Sequence, residues 1–250
     1  MKILSTKERL VYGINPVNEV IRAKKKMIFL YVQKGKEVSF RDVIKYAQSH
    51  SATIEFQDKS FFDKSLPKGN QGIACRIIDK QPMSIEGLLS NSRVQNRPFF
   101  FIVLDGIEDP RNLGAIIRIA DSTGVDAIIH QTHRSASHSG YLSKSSAGAI
   151  EYVNIIETPN IKNVIEYMKE NGILIYGSDQ SGSETLWDVD FQPSLALLIG
   201  SEGKGMRDSV RKLCDNIVSI PMLGNINSLN VSVATGVLCY EVLRQRKKTK

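Results

Sequence analysis

The sequence predicts an α/β protein in which a mostly parallel sheet forms the larger, C-terminal part and a small α/β domain precedes it. Three observations carry that reading. From Phe99 onward, apolar runs of strand length alternate with segments of helical periodicity. The first of these runs, FFFIVLDGI, is a continuous apolar strand, as in a sheet covered on both faces. Charge divides the chain near the same point: residues 1–98 carry 18 Lys/Arg against 9 Asp/Glu, and residues 99–250 carry 15 against 17.

Asn15-Pro16 predicts the first helix, with Asn as cap and Pro at the first helical position. Val17, Val20 and Ile21 then follow at helical spacing, and Lys24-Lys25-Lys26 closes the helix at its negative dipole end. MIFLYVQ (27–33) reads as a buried strand. Ser39 opens a second helix with Val43, Ile44 and Ala47 on one face. ATIEFQ (52–57) and GIACRII (72–78) are further strands. Residues 1–78 therefore form one domain. Residues 79–98, with two prolines and weak periodicity, read as a linker holding one short helix at 85–89. Residues 99–250 are the second domain. Its later strands fall at 125–131, 152–157, 172–178, 195–201 and 216–222. Its helices fall at 113–122, 142–149, 160–171, 206–214 and about 229–246.

The 250 residues suffice for a substantial core, and 42% hydrophobic with 24% charged residues is an ordinary soluble composition. No apolar run reaches the roughly 18–20 residues that span a bilayer, so no membrane partner is expected. The start, MKILSTKERLVYG, reads as neither a signal nor a transit peptide. Cys75, Cys214 and Cys239 lie far apart without C-x-x-C spacing, which argues against a disulfide framework or zinc site and fits a reducing cytoplasm. His130, His133 and His138 match no metal pattern and read as polar loop residues, so no metal is expected. A basic domain beside a near-neutral one suggests a polyanion-binding module joined to something else. A solvated basic surface is the plainer explanation of the same charge.

Three glycine-containing loops follow strands: Gly106 with Asn112-Leu113-Gly114, Gly177-Ser178, and Gly200-Ser201-Glu202-Gly203-Lys204-Gly205. Parallel α/β sheets bind ligands at such carboxyl ends. The third loop is neither a P-loop, since Gly205 follows Lys204, nor a dinucleotide fingerprint, since Asp208 takes the final glycine position. No Gly-x-Ser-x-Gly elbow argues for a serine hydrolase.

Three longer segments are more specific. They are Asn112-Leu113-Gly114-Ala115-Ile116-Ile117-Arg118 after LDGIEDPR, then Leu198-Ile199-Gly200-Ser201-Glu202-Gly203-Lys204-Gly205-Met206, and finally the run from Ile220-Pro221-Met222 through Ser228-Leu229-Asn230 to Gly236. In this order they resemble the three motifs of the SpoU (TrmH-like) family within the SPOUT methyltransferase superfamily, over about residues 99–246. Residues 4–78 also look like the small L30e-like RNA-binding domain of the branch that methylates a guanosine of large-subunit (23S) ribosomal RNA, with Asn70 where that domain carries histidine.

The resemblance implies a SPOUT-type sheet with a deep C-terminal trefoil knot, S-adenosylmethionine as cofactor, and a homodimer packed through the knotted domain. It implies an RNA ribose 2′-O-methyltransferase. It assigns cofactor contacts to Gly177, Ser178, Gly200, Ser201, Ile220, Met222 and Leu229, and catalysis to Asn112, Arg118, Glu202, Ser228 and Asn230. Asn112 and Arg118 share a helix face if Asn112 caps the helix. Arg118 matches the family's proposed general base, but a guanidinium is a poor base near neutral pH, so a bidentate clamp on phosphate is the safer role. Glu202 is then the residue to pair with Arg118 or to accept the proton. Ser228 and Asn230 offer hydrogen bonds, or else helix capping by Ser228 and a local turn at Asn230. Arg134, Lys144, Lys24, Lys25 and Lys26 are the candidate RNA contacts. Two other readings stand beside this one: the same reaction on a transfer RNA guanosine, and a non-catalytic RNA-binding ribosome-assembly factor.

Overall fold

The computed structural model describes residues 8–78, 83–92, 97–132, 140–203, 205–225 and 228–247. The chain divides into two compact units, one of residues 1–81 with 137–152, the other of residues 82–136 with 153–250.

The first unit contains β1 (Glu8–Tyr12), α1 (Ile14–Arg22), β2 (Met27–Gln33), α2 (Arg41–Ser49), β3 (Thr53–Gln57), α3 (Lys59–Ser65) and β4 (Ile73–Ile78). Its sheet runs in the order β1-β4-β2-β3, with β4 antiparallel to both neighbours and β2 parallel to β3. Val17, Val20, Val43 and Ala47 of the two long helices pack against Val11, Leu30, Val32, Cys75 and Ile77 of the sheet. Strand β1 and helix α3 were not legible in the sequence, because ERLVY and KSFFDKS are too short for a period to emerge.

Both helix starts need correction. Helix α1 begins at Ile14, two residues earlier than expected, so Asn15 lies inside it and is not its cap. Gly13 turns the chain at φ 93°, and the Ile14 N–H donates to Gln71 Oε1 at 2.9 Å. That acceptor is 57 residues away in sequence. Helix α2 follows Phe40, which is buried, and not Ser39. At the other end of α1, Lys24 adopts φ 50° while the Lys24 and Lys25 amides donate to Ile21 and Val20 carbonyls. This is a Schellman closure with lysine where glycine is usual.

Asn70 is buried and structural. Its Nδ2 donates to the Phe62 and Pro67 carbonyls at 2.9 and 3.0 Å, and its Oδ1 accepts the Gly72 N–H at 3.0 Å.

The first unit also takes α6 (Gly140–Ser145) and a single 3-10 turn, Ala149–Glu151, from the middle of the chain. A helix at 142–149 was expected there as part of the second domain. The turn carries Glu151, whose carboxylate accepts from Arg9 Nη2 at 2.8 Å through both oxygens. Both side chains are almost fully buried, at 6% and 1% exposure.

The second unit contains α4 (Ile85–Ser92), β5 (Phe100–Asp105), α5 (Pro110–Thr123), β6 (Ala127–Gln131), β7 (Ile155–Thr158), α7 (Ile161–Glu170), β8 (Leu174–Ser178), β9 (Glu184–Thr185), β10 (Leu195–Gly200), α8 (Asp208–Arg211), β11 (Asn216–Ser219) and α9 (Val231–Lys247). Its seven strands run β7-β6-β5-β10-β8-β11-β9, and every neighbouring pair is parallel. The continuous apolar runs of β5 and β10 are buried along their length, as the sequence requires. Helix α4 lies within the stretch read as a linker, yet Ile85, Leu88 and Leu89 join the core around Phe101 and Val103. His130 is likewise not a loop residue: it is buried in β6. Two-residue β9 was not foreseen.

Candidate active site

All parallel strands of the second unit present their carboxyl ends to one edge, and β10 lies between β5 and β8. The loop leaving β10 turns back at once. Ser201 and Gly205 exchange backbone hydrogen bonds of 3.0 and 2.9 Å, with Gly203 at φ 80° and Gly205 at φ 66°. Gly200 allows that return: a Cβ there would lie 2.3 Å from the Gly205 carbonyl carbon and the Met206 nitrogen. The loop is then fastened to the end of β5. Buried Asp105 accepts the Arg207 N–H at 2.9 Å and its Nε–H at 2.7 Å, while Arg207 Nη2 donates to Gln131 Oε1 at 2.9 Å.

Helices α5 and α9 bring two asparagines to this loop. Asp109, not Asn112, caps α5: its side chain accepts the Arg111 N–H, with Pro110 at the first helical position. Hydrogen bonding to Arg111 holds the Asp109 carboxyl below its usual range. Asn112 is therefore the third helical residue, about 120° around the helix from Arg118, and the expected shared face does not form. At α9 the cap is Asn230 and not Ser228. Asn230 Oδ1 accepts the Ser232 N–H at 3.0 Å and its hydroxyl at 2.6 Å. Because the oxygen is committed to the helix, the Asn230 Nδ2 faces the other way. It donates to Asn112 Oδ1 at 3.1 Å and Glu202 Oε1 at 3.3 Å, and Asn112 Nδ2 donates to Glu202 Oε2 at 3.2 Å. Three residues separated by as much as 118 positions thus close a hydrogen-bonded ring.

The ring borders a cavity of about 730 Å³. Ile199, Ile220, Leu229 and Ala234 give it apolar wall, while Ser178, Asp179, Ser201, Glu202, Ser228 and Asn230 give it polar groups. Burial pushes the Asp179 carboxyl up, but hydrogen bonds from the Ser181 hydroxyl and amide and the nearby Arg211 outweigh this and hold it below its usual value. A volume in this range, with apolar walls and several polar groups, suits a nucleoside-sized ligand. Burial pushes the thiols of Cys214 and Cys239 to about 11 and about 12, and that of Cys75 higher still, so these sulfurs stay protonated at neutral pH.

Of the expected cofactor residues, Ser178, Gly200, Ser201, Ile220 and Leu229 line the cavity. Gly177 and Met222 do not. A Cβ on Gly177 would lie 2.8 Å from Cys214 Sγ and Ile217 Cδ1, so that glycine serves packing inside the sheet. Met222 lies two residues past Ile220 in the irregular segment after β11, half-buried and outside the lining. Asn112, Glu202, Ser228 and Asn230 gather as expected. Arg118 does not join them: it is exposed on α5, with no hydrogen bond or ion pair among the described residues. Asp179 and the Asp105–Arg207 anchor were missed. The position of Asp179, directly after β8 at the ligand-binding edge, was the signal for the first. Nothing local signals the second, whose partners are 102 residues apart.

Lys144 belongs to the first unit, exposed on α6, and its Nζ donates to the Lys68 carbonyl at 3.4 Å. Lys24 and Lys26 are exposed, and Lys25 is half-buried, its carbonyl accepting the Tyr46 hydroxyl at 2.9 Å. Arg134, with His133 and His138, lies outside the described residues. Among the described residues, no group of three or more His, Cys, Asp or Glu is placed to hold a metal, and no helix is long and apolar enough to cross a membrane.

Comparison with known proteins places these features in context. The SpoU rRNA Methylase family profile matches residues 100–240, and a profile described as RNA 2′-O ribose methyltransferase substrate binding matches residues 10–83. YacO of Bacillus subtilis (strain 168), assigned to the TrmH family as a tRNA/rRNA methyltransferase, is 34% identical over 97% of this chain and 98% of its own. The crystal structure of the SpoU methyltransferase AviRb from Streptomyces viridochromogenes, in complex with AdoMet, superposes with a TM-score of 0.81 at 25% identity, covering 96% of this chain and 91% of that one. The A. aeolicus TrmH/SpoU tRNA modifying enzyme matches 61% of this chain and 78% of its own, at TM-score 0.57 and 27% identity.

Proposed function

Because the chain belongs to the SpoU rRNA Methylase family, we propose that it methylates the ribose 2′-hydroxyl of a guanosine in large-subunit (23S) ribosomal RNA. The chain is an S-adenosylmethionine-dependent RNA methyltransferase of the SpoU/TrmH type. The observation that carries the catalytic reading is the Asn112–Glu202–Asn230 ring at the edge of the cavity. A site that had lost catalysis has no need of three distant polar residues held in one geometry, which disfavours the non-catalytic assembly factor.

The cavity suits the cofactor: apolar Ile220 and Leu229 can wall the faces of an adenine, and backbone at Gly200 can approach its edge. When bound there, S-adenosylmethionine supplies an electrophilic sulfonium methyl. The protein's task is to orient the ribose hydroxyl and take its proton. Each Glu202 oxygen accepts one amide proton and keeps a lone pair for a hydroxyl, so Glu202 is the proton acceptor in this reading. Asn112 and Asn230 fix its rotamer, and Ser228 offers a further hydrogen bond. Positioning of this kind accounts for much of the rate.

Arg118 acts across a homodimer in this reading. Val233, Val237 and Tyr240 are exposed at 51%, 39% and 53%, and they recur at helical spacing as an apolar stripe on α9. Helix α9 packs against α5, so pairing along this face would carry Arg118 toward a partner's site as a phosphate clamp. The meeting of loops after β8, β10 and β11 with the start of α9 at one cavity supports the knotted C-terminus expected of the family.

The first unit, through Lys144 and the Lys24–Lys26 turn, binds RNA in this reading, in a cytoplasmic setting. That unit favours ribosomal RNA, because the tRNA modifying structure matches only 61% of this chain. The test is ribose-methylation mapping of ribosomal and transfer RNA from cells with and without the gene. Loss of one 23S guanosine mark is expected; loss confined to transfer RNA would overturn the substrate assignment.

A further inference from the structure

The two long helices of the first unit cover one face of its sheet, through Leu30, Val32, Cys75 and Ile77. Strand alternation sends Phe29, Tyr31 and Arg76 to the other face. There the Phe29 and Tyr31 rings lie 4.7 Å apart, and Phe61 of α3 continues the row at 5.4 Å from Tyr31. Arg76, paired across the ladder with Phe29, sets its guanidinium 4.8 Å from the Phe29 centroid and 5.9 Å from that of Tyr31. It is pinned there by a 2.7 Å hydrogen bond from Nη2 to the Tyr31 hydroxyl and reaches Glu8 at 3.5 Å, yet its side chain remains 41% exposed.

We infer that this aromatic–arginine row is a stacking platform for unpaired bases of the RNA substrate. The inference rests on the reading of the chain as an RNA methyltransferase and adds the site and the form of RNA. Three features favour a base. The row lies on β2 and β4, the two central strands of the sheet, where rings are held rigidly and stacking loses little entropy. A guanidinium held over the aromatic rings adds a flat cationic surface to the row and has spare N–H donors for a base edge. The part of the chain carrying it, residues 1–98, holds 18 Lys/Arg against 9 Asp/Glu, the charge a nucleic-acid backbone requires. The lysine contacts assigned above are phosphate contacts and carry no preference for single strands. The platform supplies that preference.

The experiment uses the full chain and two fluorescently labelled probes, an unstructured RNA 12-mer and a duplex of the same length, read by anisotropy. Phe29→Leu and Tyr31→Leu keep the apolar bulk and remove the ring. Each should weaken single-strand binding by roughly ten-fold, in line with the usual worth of one base–aromatic stack. Duplex binding and the salt slope should stay as in wild type, because no phosphate contact is lost. Tyr31→Phe should bind within two-fold of wild type. Arg76→Lys, exposed and safe for folding, should weaken single-strand binding while keeping the salt slope. Leucine variants that fold as wild type by circular dichroism and bind the single strand within two-fold would overturn the platform, as would a wild type that prefers duplex. Methyl transfer from labelled S-adenosylmethionine to ribosomal RNA is run in parallel with wild type. Transfer with unchanged binding in the variants sinks the platform alone; absence of any transfer sinks the enzymatic reading itself.

Discussion

Asn112 and Asn230 hold the Glu202 carboxylate in place, and what that carboxylate does can be measured. Glu202→Gln keeps the shape of the side chain and removes its ability to take a proton. Single-turnover methyl transfer should fall by about 100-fold or more, or about 2.7 kcal/mol of barrier, while calorimetric affinity for S-adenosylmethionine stays within threefold. Turnover near wild type would move the proton acceptor elsewhere. Gly200 presents the opposite situation, a site with no room. Gly200→Ala puts a methyl group 2.3 Å from the returning backbone at Gly205 and Met206, where no flexible side chain can yield. Overpacking of this kind costs about 1–3 kcal/mol, so the urea midpoint should drop and cofactor binding should be lost together. Loss of cofactor binding alone would mean that the glycine serves ligand approach more than loop closure.

At the scale of elements, the cofactor loop depends on a tether outside the cavity. Asp105 ends β5 and holds Arg207 by backbone and side chain, so the loop after β10 is fixed at both of its ends. Asp105→Asn keeps one acceptor for the Arg207 amide and gives up the charge that holds the guanidinium. The expected result is a cofactor KM raised about ten-fold with kcat nearly unchanged, since the Asn112–Glu202–Asn230 ring is not touched. Equal losses in both would place Asp105 in the chemical step. Helix starts show the same reliance on distant partners. The cap of α5 is local and readable as Asp109-Pro110, although Asn112 competes for it in the sequence. The start of α1 is set by Gln71, which no local rule connects to Ile14.

At the scale of the whole molecule, the middle of the chain joins the first unit through the Arg9–Glu151 pair. Glu151→Ala breaks a buried ion pair, which ordinarily costs about 3–5 kcal/mol. Thermal unfolding followed at the first unit should show that loss; a change below about 1 kcal/mol would mean the segment is held by packing alone. Assembly is the second question at this scale. Tyr240→Glu places a charge in the apolar stripe of α9 and should give a monomer by sedimentation. If Arg118 works across the dimer, mixing inactive Arg118→Ala with inactive Glu202→Gln should restore activity in the heterodimers, to about half that of a wild-type site pair. No recovery would keep both residues in one chain's site or remove Arg118 from catalysis.

The sequence by itself determined the strands of the second unit except two-residue β9, because runs such as FFFIVL and LALLI are apolar on both faces and only a covered parallel sheet accepts them. It determined the family and with it the cofactor, because three motifs recur in order with residues whose chemistry is specific. Through the family resemblance it grouped Asn112, Arg118, Glu202, Ser228 and Asn230, but not which of them meet or how. Tertiary structure decided that Asn230 is the cap whose amide turns toward Glu202, that Asn112 sits inside α5 and away from the Arg118 face, and that Gly177 serves packing. It decided that residues 137–152 fold with the first unit and that Phe29, Tyr31, Phe61 and Arg76 share one open face. The reason is common to all of these. Periodicity and capping record a residue's neighbours in the chain, whereas hydrogen-bond partners, packing space and shared faces belong to residues that only folding brings near.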